Sequence, residues 1–212
     1  MGQDWGQDWG QDWGQDWIAS RLASAAAGQR TGLRGGHALN PGITPKKPLA
    51  AAAVLIPIVN HKDGLTLLFT QRPESLATHA GQISFPGGHM EPGDGAPEET
   101  ALRECEEETG IRRRDVPVLG RLGDYRTRTG FLVTPVVGLV EPPLKLNPGP
   151  VEVADVFEAP LDFFLDPANH QLRRREFEGK MRKFYAMPYG DRYIWGATAG
   201  ILFNFYDSLV QP

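Results

Sequence analysis

The sequence is poor in cysteine and has neither a long apolar run nor an excess of positive charge. Its one cysteine, Cys105, excludes an intrachain disulfide and favours a reducing compartment. No run approaches the ~20 apolar residues of a membrane-spanning helix, and the N-terminus lacks the basic start and apolar stretch of a secretory signal. The net charge of −4 disfavours a surface that wraps nucleic acid. These absences lead us to expect a cytoplasmic protein that binds neither nucleic acid nor membranes.

The length and composition predict one folded domain with an N-terminal appendage. A chain of 212 residues fits one domain, and 41% apolar residues is an ordinary globular value that argues against wholesale disorder. Residues 2–17 repeat Gly-Gln-Asp-Trp four times, a short helix is predicted over about Ile18–Ala27, and residues 28–47 have the glycine, proline and polar content of a linker. We therefore predict an N-terminal region over residues 1–47 and a folded domain over residues 48–212.

The repeat has two interpretations. Its period is close to one helical turn, so Trp5, Trp9, Trp13 and Trp17 can line one face and mediate assembly. A glycine in every copy disfavours a stable helix, and the repeat is then a duplication scar without a role.

Turn residues and apolar runs in the second region predict interleaved strands and helices. His61–Gly64 separate two apolar runs and predict a hairpin. A helix over Pro97–Thr109 is favoured by proline in its first turn and by Gly110 after its last residue. The remaining predictions are hairpin strands at 50–59 and 65–70, further strands at 82–85, 118–123, 133–140, 171–178 and 183–188, a strand or short helix at 152–164, and a C-terminal helix at about 195–210. This irregular alternation predicts an α/β fold with a mixed β-sheet sandwiched between α-helices.

Three glutamates of the predicted helix are candidate metal ligands. Glu104, Glu107 and Glu108 are three and four residues apart, which places their side chains on one helical face. Like charges this close repel each other, and Mg²⁺ offsets the repulsion because it prefers carboxylate oxygens. Gly87 and Gly88 allow the backbone to approach a ligand, where a carbonyl oxygen adds a further ligand. From the glutamates alone, a solvated acidic face is the alternative.

A longer pattern surrounds these glutamates. Residues 88–111 read GHMEPGDGAPEETALRECEEETGI and strongly resemble the Nudix box, G-x5-E-x7-R-E-U-x-E-E-x-G-U, where U is a bulky aliphatic residue. Asp94 stands where the box usually has glutamate, and eight residues rather than seven separate it from Arg103. Cys105 replaces an aliphatic residue, a mild change because a buried cysteine is a small hydrophobe.

The resemblance implies a Nudix-like fold and metal-dependent cleavage of a diphosphate. It implies catalytic roles for Arg103, Glu104, Glu107 and Glu108, with Arg103 pairing with a box carboxylate and fixing the geometry of loop and helix. The three glutamates and Gly88 are the expected ligands of Mg²⁺ or Mn²⁺. Such a cation neutralises diphosphate oxygens and lowers the pKa of a bound water, whose proton a carboxylate can take.

The segment before the box narrows the resemblance. Residues 67–88 read LLFTQRPESLATHAGQISFPGG and look like the signature of the coenzyme A pyrophosphatase branch, L-L-T-x-R-[SA]-x3-R-x3-G-x3-F-P-G-G. That branch shares the longer spacing inside the box. Pro73 replaces a small residue, and Ala77 replaces the second arginine, which removes one candidate phosphate contact.

The expected substrate-binding residues are Arg72, His79, Gly81 and Ser84. The alternatives are that Arg72 pairs with a box acid and that His79 is a structural hydrogen bonder. Arg126 and Arg128 lie in a loop-like stretch and are further candidates for holding a phosphate.

Three later features have a functional and a structural interpretation. Glu152 is an extra base or metal ligand, or a solvated acid at a strand end. The basic run 173–175 reads as a solvated strand face, and residues 195–201 read as core packing because they are small and apolar.

The leading hypothesis is hydrolysis of coenzyme A or its thioesters to adenosine 3',5'-bisphosphate and 4'-phosphopantetheine or its acyl form. An alternative is a Nudix pyrophosphatase for another nucleoside diphosphate derivative, such as ADP-ribose or a dinucleotide. A non-catalytic nucleotide-binding module is the alternative of another class. The expected partner is a small-molecule substrate, coenzyme A or a related diphosphate, and the sequence leaves the oligomeric state open, with a homodimer as one alternative.

Overall fold

A mixed β-sheet with helices on both faces forms the body of the chain. The computed structural model describes residues 14–27, 34–42, 48–75, 79–149, 151–177 and 179–210. The helices are α1 (Gln15–Ala27), α2 (Gly36–Leu39), α3 (Pro97–Thr109), α4 (Leu161–Leu165) and α5 (Ala197–Val210). The strands are β1 (Arg34–Gly35), β2 (Ala50–His61), β3 (Gly64–Gln71), β4 (Ile83–Ser84), β5 (Gly87–His89), β6 (Val118–Arg121), β7 (Tyr125–Arg126), β8 (Phe131–Val140), β9 (Asp155–Pro160), β10 (Gln171–Phe177), β11 (Lys180–Tyr189) and β12 (Arg192–Trp195).

Two sheets are present in the described ranges. The larger has the order β1-β7-β8-β2-β3-β4, with β5 paired to β2, β6 to β8 and β9 to β3. Strands β2 and β8 run parallel from Ala50 opposite Phe131 to Val59 opposite Val140, whereas β2 and β3 form the predicted antiparallel hairpin. Strands β10, β11 and β12 form a separate antiparallel sheet. The predicted α/β fold with a mixed central sheet and a C-terminal helix is confirmed.

Alternating side chains bury the larger sheet on both faces. Leu55, Leu68 and Val136 pack with Ala101 and Cys105 of α3 on one face. Their chain neighbours Ile56, Phe69 and Val137 pack on the other face with residues of α1, α4 and α5. Because successive residues of a strand point to opposite faces, an uninterrupted apolar strand is buried on both sides. None of the helices within the described ranges is long and apolar enough to cross a membrane.

Helix α3 has the predicted bounds, and its ends show why. Pro97 occupies the first turn, and the Gly95 amide donates to the Glu99 carboxylate over 2.7 Å. Gly110 ends the helix with φ of 81°, and its amide donates to the Glu106 carbonyl oxygen. Glycine adopts this left-handed conformation without the steric cost of a side chain.

Several predicted elements need correction. The strand expected at 82–85 is reduced to the two residues of β4, and residues 152–164 contain both alternatives, strand β9 followed by helix α4. The C-terminal helix begins at Ala197, because Trp195 ends strand β12, which was not predicted. Gly196 between them has φ of 70°, which separates strand from helix.

Part of the predicted linker is folded onto the domain. Arg34–Gly35 pairs in parallel with Tyr125–Arg126 of β7. The Asn40 side chain donates to the Lys183 carbonyl oxygen over 2.9 Å and accepts from the Lys183 amide over 2.8 Å. Residues 34–42 are therefore held on the domain by hydrogen bonds. The glycine content of this stretch predicted a linker, and for these residues that prediction is wrong.

Helix α1 begins inside the fourth copy of the repeat and packs on the core. Ile18 is fully buried, Leu22 is 2% exposed, and Trp17 packs against the same cluster. Leu22 lies over Gly120 of β6, where an added Cβ would come within 3.2 Å of the leucine side chain. Trp5, Trp9 and Trp13 lie outside the described residues, so the two interpretations of the repeat remain open. The domain boundary at residue 48 also stays a prediction, but α1 contributes to the core from outside it.

We predict that Leu22→Ala lowers the free energy of unfolding by about 2–5 kcal/mol, because it removes a buried leucine and leaves a cavity. Urea unfolding followed by circular dichroism measures this difference. Ser24→Ala is the control, since Ser24 is an exposed residue of the same helix and should change stability by less than about 0.5 kcal/mol. Equal stabilities for the two variants would show that α1 does not pack on the domain in solution.

Candidate active site

The Arg103 guanidinium is the centre of the hydrogen-bonding network on α3. It is 12% exposed and donates to Glu104 Oε1 over 3.0 Å and to Glu107 Oε2 over 3.2 Å. It also donates to both carboxylate oxygens of Asp94, over 3.2 and 3.0 Å, and to the His89 carbonyl oxygen over 3.0 Å. The hydrogen bonds with Asp94 contribute most to a pKa of Arg103 above its usual range. Arg103 therefore joins the loop before α3 to two acids of the helix.

Asp94 takes the place of the usual glutamate by a tight turn. The Asp94 amide donates to the Glu91 carbonyl oxygen, and the Glu91 amide donates back to Asp94 Oδ2, both over 2.9 Å. The Thr100 hydroxyl donates to the same carboxylate. The hydrogen bonds from Arg103 hold the pKa of Asp94 well below its ordinary value, and the hydrogen bond from the Glu91 amide is the next largest cause. The shorter side chain and the longer loop together still deliver a carboxylate to Arg103.

Glu108 is a buried carboxylate without a cationic partner among the described residues. It is 7% exposed, and its oxygens accept from the Thr70 hydroxyl over 3.2 Å and the Gly87 amide over 3.4 Å. Burial raises its pKa from 4.5 to about 7, and the charges of Glu104 and Glu152 add to the effect. A carboxylate in this state exchanges a proton near neutral pH.

Glu104 lies between Arg103 and the glycine strand β5. An added Cβ on Gly88 would come within 2.3 Å of Glu104 Oε1, so the backbone of Gly88 lies directly against this carboxylate. Burial raises the pKa of Glu104, while the hydrogen bond from Arg103 opposes the rise. The charge of Glu152 also raises it, so the exposed Glu152 faces the acidic site from outside the box.

The predicted metal ligands are close together but are not arranged as a preformed cage. Among the described residues, no group of three or more acid, histidine or cysteine side chains is gathered as a metal-ligand set. Arg103 binds one oxygen of Glu104 and one of Glu107, whose side chain is 56% exposed, while Glu108 faces Thr70. Carboxylates without a cation between them repel each other, and Arg103 offsets this repulsion for Glu104 and Glu107. The metal-binding and catalytic roles of these residues stay predictions.

The expected substrate residues separate into two groups. Ser84 lies close to the acidic site, because the Thr70 hydroxyl is 3.4 Å from the Ser84 carbonyl oxygen and also donates to Glu108. Gly81, with φ of 65°, shapes a turn whose next residue, Gln82, binds His79 Nδ1 over 2.6 Å. His79 itself has a positive φ of 58° and lines a neighbouring cavity rather than the acidic site.

Arg72 makes no ion pair with a box acid in the described part of the chain. Its amide donates to the Gln82 carbonyl oxygen over 3.0 Å, but its buried Nε has no hydrogen-bond partner. The structural alternative, pairing with a box acid, is therefore not observed. Its substrate-binding role stays a prediction.

Some functional candidates were missed in the sequence. The motif around Thr70 does not single it out, although a buried polar residue in an apolar strand requires a partner. The basic run 173–175 is exposed as predicted, but the sequence pattern does not indicate that Arg175 and Trp195 also line the cavity next to His79, together with Arg126 and Arg128. The pairing of β10 with β11, which places Arg175 opposite Arg182, is a long-range contact that local patterns do not reveal.

Comparison with known proteins identifies the family. The family model described as the NUDIX domain matches residues 49–179. A protein of Photorhabdus laumondii named as an uncharacterized Nudix hydrolase, NudL, is 44% identical over 151 residues, which cover 71% of this chain and 80% of the relative. A NudL of Pectobacterium atrosepticum is 40% identical over 164 residues, covering 77% of this chain and 85% of the relative.

A solved structure described as a binary complex of a C. elegans Ap4A hydrolase is also similar. It has 20% identity and a TM-score of 0.45, over 54% of this chain and 82% of that chain. The family assignment depends on the sequence matches rather than on this likeness. Nudix hydrolases cleave nucleoside diphosphate derivatives and generally use a divalent cation such as Mg²⁺ or Mn²⁺. With a matching domain over more than half its length and relatives of 40% identity or more, this chain belongs to the Nudix family of hydrolases.

Proposed function

We propose that this Nudix hydrolase cleaves the diphosphate of coenzyme A or its thioesters, with Mg²⁺ or Mn²⁺. The products are adenosine 3',5'-bisphosphate and 4'-phosphopantetheine or its acyl form. The observation that carries the chemistry is the buried Glu108 next to Glu104 on a helix fixed by Arg103. The observation that supports the substrate is the segment 67–88, which resembles the coenzyme A pyrophosphatase signature and reaches Glu108 through Thr70.

The acidic site fits a hard divalent cation. Glu108 receives hydrogen bonds only from a hydroxyl and an amide in the described chain, and the charges of Glu104 and Glu152 oppose its ionisation. Carboxylate oxygens without a positive partner are the ligands that Mg²⁺ and Mn²⁺ prefer. Gly88, Glu104, Glu107 and Glu108 would hold the cation, which supplies charge neutralisation on the diphosphate and a lowered pKa of bound water.

The residues of the chain then have separate tasks. A water oxygen attacks phosphorus, the bond from phosphorus to the bridging oxygen breaks, and the leaving phosphate carries the electron pair. One of the box carboxylates accepts the proton of the attacking water, and burial keeps such a group able to do so near neutral pH. Arg103 positions Glu104 and Glu107 through its bonds to Asp94 and to the His89 carbonyl oxygen.

We expect Glu108→Gln to lower metal-dependent turnover by at least about 100-fold, because it removes a ligand and a proton acceptor at the buried end of the site. Glu106→Gln is the matched control, since Glu106 belongs to the same helix but pairs with Arg113 over 2.6 Å. Mass spectrometry of the products with and without Mg²⁺ gives the rates. Unchanged turnover in Glu108→Gln, or an equal loss in both variants, would contradict the assignment.

The pKa of Glu108 predicts how stability depends on pH without metal. Because its pKa rises from 4.5 to about 7 on folding, its contribution is fully present below pH 4.5 and is lost as pH rises through 7. Relative to Glu108→Gln, the wild type should lose about 3 kcal/mol between these limits. Urea unfolding of both proteins in a chelator at several pH values measures the difference. A difference independent of pH would show that Glu108 is not desolvated, and added Mg²⁺ should stabilise the wild type more than the variant.

A panel of diphosphates tests the substrate. With Mg²⁺ or Mn²⁺, the pure protein should cleave coenzyme A with a higher kcat/KM than ADP-ribose or a dinucleotide. A higher kcat/KM for ADP-ribose would assign the chain to another nucleoside diphosphate derivative. Tight binding without turnover of any member would instead make it a nucleotide-binding module.

A further inference from the structure

A cavity of about 350 Å³ lies between the three-stranded sheet, the β7–β8 turn and α2. Its size is within the range of small-molecule sites. His79 and Gln82 form its edge on the side of the Nudix segment, and Trp195 and Ala197 lie at the junction of β12 with α5. The residues that line the cavity therefore lie outside the Nudix box at 88–111.

The charged residues that line this cavity are all basic. Five basic residues contribute to it, and no aspartate or glutamate among the described residues does: Arg126, Arg128, Arg175, Arg182 and Lys183. Arg175 and Arg182 are direct partners in the β10–β11 ladder. Like charges directly opposite each other in a sheet destabilise it, and an anion bound between these two arginines would relieve the repulsion.

Buried nitrogens in the cavity wall have no hydrogen-bond partner within the described part of the chain. Arg182 has two such atoms, Nε and Nη1, and Arg126 has its Nε. His37 Nδ1 is a third group of this kind. A buried donor without an acceptor is costly and uncommon, and the fork of a guanidinium matches the oxygens of a phosphate.

Aromatic rings alternate with these cations. Phe184 and Trp195 make an edge-on contact with ring centres 5.5 Å apart, and the Arg128 guanidinium lies 3.9 Å from the centre of the Phe177 ring. Each ring lines the cavity. Aromatic faces beside guanidinium groups are the chemistry that binds a nucleobase and its phosphates together.

The cavity is connected to the acidic site by a short stretch of chain. Gln82 lines the cavity, and Ser84, two residues later, contacts Thr70, which donates to Glu108 over 3.2 Å. Two residues of extended chain span at most about 7 Å. A linear substrate with its diphosphate beside Glu108 can therefore place one end in this cavity.

We propose that the cavity binds the phosphorylated nucleoside end of the diphosphate substrate, with Arg126 and Arg182 holding a phosphomonoester and the aromatic residues holding the base. This inference rests on the proposed function, because it assigns one end of that substrate. It adds specificity for a phosphate that does not take part in the reaction, and it compensates for the arginine absent at Ala77.

Steady-state kinetics with coenzyme A and 3'-dephospho-coenzyme A test the assignment, since they differ only in the phosphomonoester. Arg182→Gln should lower kcat/KM for coenzyme A roughly 10- to 100-fold, mainly through KM, and change kcat/KM for the dephospho form less than about 3-fold. Arg174→Gln is the matched control. It removes the same charge from the adjacent strand β10, at a residue that does not line the cavity. Equal effects of Arg182→Gln on the two substrates, or equal effects of both variants, would overturn the inference.

Thermal unfolding separates a binding role from a structural one. The Tm of Arg182→Gln should equal or exceed that of the wild type, because the substitution relieves the like-charge repulsion between Arg175 and Arg182. A lower Tm together with losses on both substrates would assign Arg182 a structural role and reject the inference.

A binding measurement distinguishes failure of this inference from failure of the proposed function. By calorimetry, the wild type should bind adenosine 3',5'-bisphosphate at least about 10-fold more tightly than 5'-AMP, and Arg182→Gln should remove this preference. If coenzyme A is not cleaved but the preference is present, the proposed function fails and the cavity assignment stands. If coenzyme A is cleaved but the preference is absent, the cavity assignment fails alone.

Discussion

The Arg103 guanidinium connects the loop before α3 to the acidic face of that helix, and its positive charge offsets the repulsion between the acids. Its bonds to Asp94 and to the His89 carbonyl oxygen hold the loop before α3, and its bonds to Glu104 and Glu107 hold acids of the helix. A guanidinium has five donors in a fixed plane, so one arginine can satisfy several acceptors where a lysine could not. The acidic face of α3 tolerates its charge density because this group lies within it, and Glu108 is left as a buried carboxylate without a cationic partner among the described residues.

The sheet provides the rigid support for this arrangement. Cys105 and Ala101 anchor α3 on one face of the sheet, while Phe69 and Val137 bury the other face against α1, α4 and α5. Helix α3 therefore presents its acids toward β5 and Thr70 from a fixed distance. The sheet therefore fixes the backbone that carries these acids, while their side chains bond to Arg103 and Thr70.

Local signals made α3 predictable, whereas long-range contacts were not. Pro97 and Gly110 each mark an end of the helix, so both bounds could be read from a few neighbouring residues. Strand β12 was missed because its evidence is its pairing with β11, and Trp195 next to small residues resembles the start of a helix. The bond from Thr70 to Glu108 joins residues 38 apart in sequence, and no local pattern contains it.

The candidate site shows the same division. The acids and Arg103 follow from their spacing in the box, and their arrangement around Asp94 depends on a turn that only the backbone reveals. The basic run 173–175 is exposed on β10 as predicted, and the register with β11 also places Arg175 opposite Arg182 at the cavity. Side-chain direction in a strand depends on pairing, and pairing depends on residues far away in the chain.

The burial of Cys105 has a consequence for the proposed activity on coenzyme A. Cys105 is the one cysteine of the sequence, is 1% exposed, and burial raises its thiol pKa to about 12. Thiol exchange requires an accessible thiolate, which this residue does not provide in the folded protein. If the substrate is the proposed coenzyme A, which carries a free thiol, the folded enzyme would therefore form no mixed disulfide with it through this cysteine.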